Sequence, residues 1–596
     1  MLKAVMSPFC RWIAWGLVSC LMVLSLAGCQ LFQLKSAQAR VPQLVLSSLS
    51  DPKTFNFVLQ QEVNDVLPLI NEGLITENGE TGKIEPALAE SWKVSPDGKQ
   101  IIYTLKENLK WSDGQPLTVD DVVFTYMDVV LNKNIPTDSR DVLRVGKSGA
   151  LPTVRKLDDR QVEFSIPEPF APFLRVTGLP ILPKHILQKS VETKNSKGKP
   201  NFLSVWGVDT KPLSNIVAAG PYVIDSYRVG ERVTLRRNPY YWRRGSKGEP
   251  QPIIEKIVIQ VVENTDTDLL QFRSGGIDVT GVTPDYFSLL KREEKRRGFK
   301  IYDGGPSLNT LFASFNLNQG RDAKGKPFVD PIKAKWFNTI EFRQAIAHSI
   351  DRRKMLNNIY QGLGDLQHSM IGVQSPYYLS PKEGLKTYDY SLDKAKALLL
   401  KAGFKYNDKK ELLDAEGHRV RFSLVTNAGN KIREALGAQI KQDLSKVGIQ
   451  VDFNPIAFNA LLEKVSRSKQ WDCLLLGFAG GGVEPNSSFN IWATDGGLHQ
   501  FNQGPNPGEP PIEGWVVSDW EKKISDLYIQ GAQELNDAKR KVIYAEAQQL
   551  IQENLPFIYL ITPLSFEAVR DRIQGVKYSA LGGSLWNLYE LKIKEE

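Results

Sequence analysis

Apolar positions recur along this chain with two periods, and the switches between them mark its elements. Residues 43–47 predict a strand that ends in the turn-rich Ser48-Leu49-Ser50-Asp51-Pro52, and residues 64–73 predict an amphipathic helix with Leu67, Ile70 and Leu74 inward. Between residues 81 and 183 the texture changes to short strands and turns. Pro96-Asp97-Gly98 bends between two strands, the second over 100–106, and Trp111-Ser112-Asp113-Gly114 makes another turn. Thr118 then caps a helix whose first turn holds Asp120 and Asp121, acids suited to the positive end of the helix dipole. Another strand is expected over 161–166. Further on, strands are predicted over 219–224, 232–236 and 256–262, and a helix runs from Asp266 to Gly275-Gly276. Asn238-Pro239-Tyr240-Tyr241-Trp242, between them, is a turn dense in aromatics.

A second α/β unit follows. It opens with a strand over 312–317, and Phe342, Ala345, Ile346 and Ile350 then fall at helical spacing. Asp351 ends that helix and caps the next, and Leu392, Ala395, Leu399 and Ala402 repeat the period. Residues 420–426, 432–447 and 449–453 read as a β–α–β unit, with Asn427-Ala428-Gly429-Asn430 entering the helix at its N-terminus. The tail predicts a helix over 537–553 and a strand over 556–560 returning to the first unit. A chain that leaves one lobe, builds another and comes back makes a double crossover, which is a mechanical hinge.

One stretch stands out within this pattern. The apolar run Cys473 to Leu476 suits a strand buried on both faces, and it breaks into Gly477-Phe478-Ala479-Gly480-Gly481-Gly482. Glycines at the end of a buried strand let the backbone turn sharply and approach another body. The loop is therefore read either as one wall of a ligand cleft or as a tight connection without a ligand. If it is a wall, Gly481→Trp should block the ligand and leave the fold intact.

Composition narrows the class. At 596 residues the chain exceeds one hydrophobic core, and with 42% hydrophobic and 24% charged residues it is an ordinary globular protein of two or three lobes. The net charge of +8 comes from dispersed residues, and the basic run 291–297 is interrupted by Glu293 and Glu294. It reads as a solvated helix face, so no nucleic-acid partner is expected. At the N-terminus Lys3 and Arg11 precede the apolar residues 12–26, and Leu26-Ala27-Gly28-Cys29 then resembles a lipoprotein signal-peptidase site with Cys29 lipidated; a plain signal anchor is the alternative. No second stretch is long and apolar enough to span a membrane, so tethering would be through acyl chains. Cys473 alone remains after Cys10, Cys20 and Cys29, so no disulfide is expected, and inside its strand it reads as a core residue.

Enzyme signatures are missing. The chain has no P-loop, HExxH, CxxC pair or G-x-S-x-G. The histidines His185, His348, His368, His418 and His499 lack metal-ligand spacing and read as surface or capping residues, so neither cofactor nor metal is expected.

The ordered motifs resemble a family. They begin with the Cys29 box and Gly73-Leu74-Ile75-Thr76, and continue with Pro86-Ala87-Leu88-Ala89-Glu90-Ser91-Trp92 and Leu109-Lys110-Trp111-Ser112-Asp113-Gly114. Gly220-Pro221-Tyr222, Arg237-Asn238-Pro239-Tyr240-Tyr241-Trp242, Phe342-Arg343-Gln344-Ala345-Ile346-Ala347 and Leu555-Pro556 follow in the same order. This resembles the extracytoplasmic solute-binding proteins of ABC importers, in the cluster that binds dipeptides, oligopeptides or nickel.

The resemblance implies an α/β, periplasmic-binding-protein-like fold: two α/β lobes around a hinge with an inserted smaller mixed lobe. Its boundaries are a signal peptide 1–28, a tether 29–40, lobe I over 41–80, 205–305 and 555–596, lobe II over 81–204, and lobe III over 306–554. Ligand would be enclosed between lobes I and III, and Trp92 and Trp111 would serve the fold of lobe II. The partners implied are a peptide or other small solute, ABC permease subunits with their ATPase, and the membrane through the lipid anchor.

Peptide-binding members place an Asp after the buried strand to pair with the peptide α-ammonium. Alignment on Glu484-Pro485 puts Gly481 at that Asp and Phe478 at the family's Trp. The departure leaves a non-peptide solute open, such as an oligosaccharide, an opine-like compound or a metal chelate. From another class, an envelope hydrolase or structural lipoprotein is the alternative. The expected ligand-binding residues are Phe478, Gly480, Gly481, Gly482, Glu484, Asn309 and Asn427.

Overall fold

The computed structural model describes residues 42–60, 64–146, 148–505 and 509–594. The expected leader, the Cys29 lipidation site and the tether lie outside the described residues. No helix among those described is long and apolar enough to cross a membrane.

Among the described residues, four sheets of four or five strands carry the architecture. In the first, Gln43–Ser48 runs parallel to Lys256–Val261, which continues antiparallel through Arg232–Arg237 to Tyr222–Arg228. The second is antiparallel, in the order Ala89–Val94, Gln100–Leu105, Gln161–Ser165, Thr153–Lys156. Trp111 is fully buried in its hydrophobic cluster and Trp92 packs half-buried against it, so both tryptophans hold this part of the fold together. The helix Val119–Val123 starts on the expected cap, where Asp121 Oδ2 accepts the Thr118 N–H at 2.8 Å.

The third sheet has the order Gln450–Ile456, Arg421–Asn427, Cys473–Leu476, Phe312–Phe315, Ile558–Tyr559. Cys473–Leu476 lies at its centre with a paired strand on each side and all four side chains buried. That position explains a run with no polar alternation. Burial also pushes the Cys473 thiol well up, as befits a core residue. The β–α–β unit is realised as Arg421–Asn427, Lys431–Ser445 and Gln450–Ile456, with the two strands parallel. In the fourth sheet Ile561–Arg570 pairs with Val279–Gly281, Phe299–Pro306 and Gly364–Leu366.

Three expectations change. The helix expected over 64–73 contracts to Leu67–Ile70, because Pro68 lacks an N–H and fits only the first turn of a helix. The strand expected to return over 556–560 does not return: Ile558–Tyr559 completes the third sheet, and Ile561–Arg570 crosses to the fourth. Finally, His499 is neither a surface nor a capping residue. It is 1% exposed, with Nε2 2.9 Å from Glu521 Oε2 and Nδ1 2.9 Å from the Ile491 carbonyl.

Two of the connections between the third and fourth sheets are short and run side by side. Outbound, residues 307–311 link Phe299–Pro306 to Phe312–Phe315; inbound, Leu560 links Ile558–Tyr559 to Ile561–Arg570. The Ser307 N–H donates to the Pro563 carbonyl at 2.8 Å, and the Leu560 N–H donates to the Leu311 carbonyl at 2.9 Å.

Candidate functional site

The glycine-rich loop leaves the third sheet and is laced onto the outbound connection. The Thr310 N–H donates to the Phe478 carbonyl (2.9 Å), the Phe478 N–H to Thr310 Oγ1 (3.3 Å), and the Gly480 N–H to Asn309 Oδ1 (3.2 Å). This close approach is what Gly477 and Gly481 make possible. A side-chain carbon on Gly477 would lie 2.2 Å from the Thr310 carbonyl oxygen, and one on Gly481 would lie 2.4 Å from that of Leu308. The low bulk of the loop is thus largely taken up by the protein's own backbone. Gly481→Trp would therefore disturb the fold, contrary to expectation.

The remaining expected residues are also engaged by the protein. The Phe478 ring is half-buried between Phe312 (5.1 Å between centroids) and Phe557 (6.0 Å). Asn427 Oδ1 accepts from Arg433 at 2.7 Å. Glu484 turns inward: its Oε1 accepts from Arg540 Nη2 at 2.6 Å and from the Asn486 N–H at 3.2 Å, and the two side chains of the ion pair are 11% and 5% exposed. Arg540 also donates to Tyr377 Oη (2.6 Å) and the Gly531 carbonyl (2.8 Å). Ala479, Gly480 and Gly481 are the exposed residues of the loop.

The large cavity lies elsewhere, and none of the seven expected ligand-binding residues lines it. It has a volume of about 1100 Å³ and is walled by residues from the first sheet, the second-sheet region and the C-terminal return. The segment that follows the loop approaches the wall at Gly82, which neighbours the wall residue Glu77. A side-chain carbon on Gly82 would lie 3.2 Å from Val483 Cγ2, 3.2 Å from Glu77 Oε1 and 3.3 Å from Leu581 Cδ2, so three distant segments converge there.

Charged groups in the wall are held in contrasting ways. Glu77 is ion-paired with Arg175, which also donates to the Gly82 carbonyl at 3.0 Å. Glu72 forms no ion pair among the described residues. Burial pushes its carboxyl up to about 7, against a 2.7 Å hydrogen bond from Tyr241 Oη and the nearby charges of Arg243 and Lys106. The Arg243 guanidinium lies over the Tyr589 ring at 3.8 Å and the Trp242 ring at 4.9 Å, and its Nε finds no hydrogen-bond partner among the described residues. Glu567 accepts the Ser584 N–H at 3.2 Å, and burial raises its carboxyl above the ordinary range.

Glu72, Arg243 and Glu567 were not among the expected site residues. A signal existed for two of them, since the aromatic turn at 238–242 runs directly into Arg243 and Glu72 directly precedes Gly73-Leu74-Ile75-Thr76. Asp414, Glu416 and His418 could also hold a metal ion, their ligand atoms lying within 4.8 Å of one another. Each already has a protein partner: Asp414 accepts from Trp336 Nε1 and the His418 N–H at 3.0 and 2.8 Å, His418 Nδ1 lies 3.1 Å from Asp414 Oδ2, and Glu416 accepts from Lys335 at 2.8 Å.

Residues 83–500 match the profile of the bacterial extracellular solute-binding proteins, family 5 (middle region). Among curated relatives, a "Probable ABC transporter-binding protein" of Deinococcus radiodurans is 29% identical over 549 residues, covering 89% of this chain and 88% of its own. The oligopeptide-binding protein AppA of Bacillus subtilis is 25% identical over 90% of this chain and 89% of its own. Its solved structure with a nonapeptide superposes with a TM-score of 0.73 at 23% identity, over 93% of this chain and 100% of that one. The periplasmic binding protein MelB of Agrobacterium fabrum, solved with stachyose, superposes with a TM-score of 0.75 at 21% identity, over 93% and 84%. These likenesses agree with the two-lobe α/β architecture. The chain belongs to family 5 of the bacterial extracellular solute-binding proteins.

Proposed function

We propose that this protein is the solute receptor of an ABC importer, that its solute is a peptide, and that it acts by binding rather than by catalysis. The observation that carries the reading is the cavity of about 1100 Å³, whose wall joins Glu72 near one end of the chain to Glu567 near the other. A site built from segments so distant in sequence forms only when the chain has folded back through its double connection. Relatives named for oligopeptide and dipeptide binding over most of their length favour the peptide. In this reading lobe I comprises 41–80, 205–305 and 561–596, lobe II 81–204 and lobe III 306–560, since Ile558–Tyr559 belongs to the third sheet. The cavity wall contacts the solute, while Gly480, which has open space beside it, and the neighbouring Gly482 form the rim on lobe III. Glu484, Asn427, Gly481 and Phe478 hold the rim in place. Cys29 carries the lipid anchor, and the ligand-bound form docks on a permease driven by its ATPase.

A second reading, a non-peptide solute such as an oligosaccharide, is favoured by one observation. Gly481 stands where peptide binders place an acid, and it is packed against the Leu308 carbonyl. Denaturing soluble protein that lacks residues 1–29 and identifying the released molecules by mass spectrometry separates the two. Peptides are expected; a released sugar or chelate would replace the first reading with the second. Turnover of a model ester or amide would overturn the binding role itself.

A further inference from the structure

We propose that Glu567 is the cation-binding subsite of the cavity, so that the solute carries an ammonium or guanidinium group at that end. The inference rests on the peptide reading and deepens it. Glu567 lies on the strand Ile561–Arg570, directly opposite Gly281 on one side and Tyr302 on the other. Directly paired residues of an antiparallel sheet project to the same face, about 5 Å apart. A side chain at position 281 would normally stand beside the carboxylate. Instead there is a glycine, and a carbon built on it would meet no atom within 4 Å. Gly281 and Glu567 both line the cavity, so the gap opens the carboxylate to whatever fills that space.

No protein cation occupies the position. Among the described residues Glu567 forms no ion pair, and its hydrogen-bonding partner is the neutral Ser584, whose N–H donates at 3.2 Å. The basic side chains nearby turn elsewhere: Arg175 to Glu77, Arg572 to Asp278 at 2.6 Å, Arg243 onto Tyr589, and Lys300 onto the Tyr302 ring at 4.6 Å. Leaving a half-buried carboxylate without a counter-charge disfavours the empty site, and an incoming cation reverses that. The charge that Gly481 does not supply on one side of the site is thereby supplied on the other.

Three probe pools separate the possibilities: tripeptides of uncharged residues with a free α-ammonium, the same pool N-acetylated, and the N-acetylated pool with lysine at its centre. Wild-type protein lacking residues 1–29 is expected to bind the first pool at least about tenfold more tightly than the second, as a charge-assisted hydrogen bond requires. Glu567→Gln should erase that preference while the variant melts cooperatively. Gly281→Lys, which places an ammonium in the gap, should weaken binding of the first pool and leave the second unchanged. Recovery of affinity with the third pool identifies the cation as a basic side chain, and its absence identifies the α-ammonium; either result supports the subsite. Equal wild-type affinity for the first two pools, or an undiminished preference in Glu567→Gln, overturns the subsite while the peptide reading stands. Failure of wild type to bind any pool overturns the peptide reading and the subsite with it.

Discussion

The glycine loop and the cavity wall make opposite uses of unusual residues. The loop looks exceptional in sequence, with four glycines in six positions, yet two of these let its backbone lie against the outbound connection. The wall looks ordinary in sequence and is exceptional in space, with carboxylates at 72 and 567 desolvated and lacking ion-pair partners among the described residues. Lack of side-chain bulk therefore signals only that something comes close, and at Gly477 and Gly481 that something is the protein. An acid whose field is unanswered is the stronger mark of a missing guest.

If this contrast holds, changes around the loop should act on stability and changes in the wall on binding or on pH response. The largest effect is expected for Arg540→Ala. It leaves Glu484 buried without its cation and should cost about 3–5 kcal/mol in urea unfolding, with Glu484→Gln in the same chain recovering part of the loss. An unchanged midpoint would show that the loop is not braced from behind. Gly477→Val comes next, since its side chain would collide with the Thr310 backbone. A loss of about 1–3 kcal/mol is expected, with solute affinity of the folded fraction retained.

Glu72 tests the wall through pH. Its carboxyl is raised to about 7 from an ordinary 4.5, so the ionised form is the disfavoured one in the folded state. Its contribution is fully present below about 4.5 and is lost as pH rises through about 7, by at most about 3 kcal/mol. Glu72→Gln should flatten the stability–pH curve across that window, and an unaltered slope would place the carboxylate in water. The smallest change is expected for Asn309→Ala, which removes the acceptor for the Gly480 N–H at an exposed position. About 0.5–1 kcal/mol should be lost, with little change in solute affinity. A large loss of affinity there would return the loop to the centre of the site.

Elements whose cause is local were legible. Cys473–Leu476 could be read because a strand with neighbours on both sides needs no polar face, and the β–α–β unit because its two periods follow each other within one short span. The helix at Leu67–Ile70 was read too long because the apolar spacing was weighed above Pro68. His499 was misplaced because its partner, Glu521, comes from another helix and spacing cannot show that pairing. The wall was the least legible part. Glu567 sits in a strand of mixed composition, and its isolation follows from where Arg175, Arg243, Lys300 and Arg572 point, which no single stretch encodes.

The paired connections have a consequence beyond continuity of the chain. Two bodies joined by one flexible strand can bend, swing and twist about it. Here two of the joining strands run side by side, tied to each other by the Ser307–Pro563 and Leu560–Leu311 hydrogen bonds. Twisting would shear those bonds and swinging would stretch one strand against the other, so the compliant coordinate left is rotation about the line through both. Like a door on two pins, such a joint returns the same edges to the same frame each time it shuts.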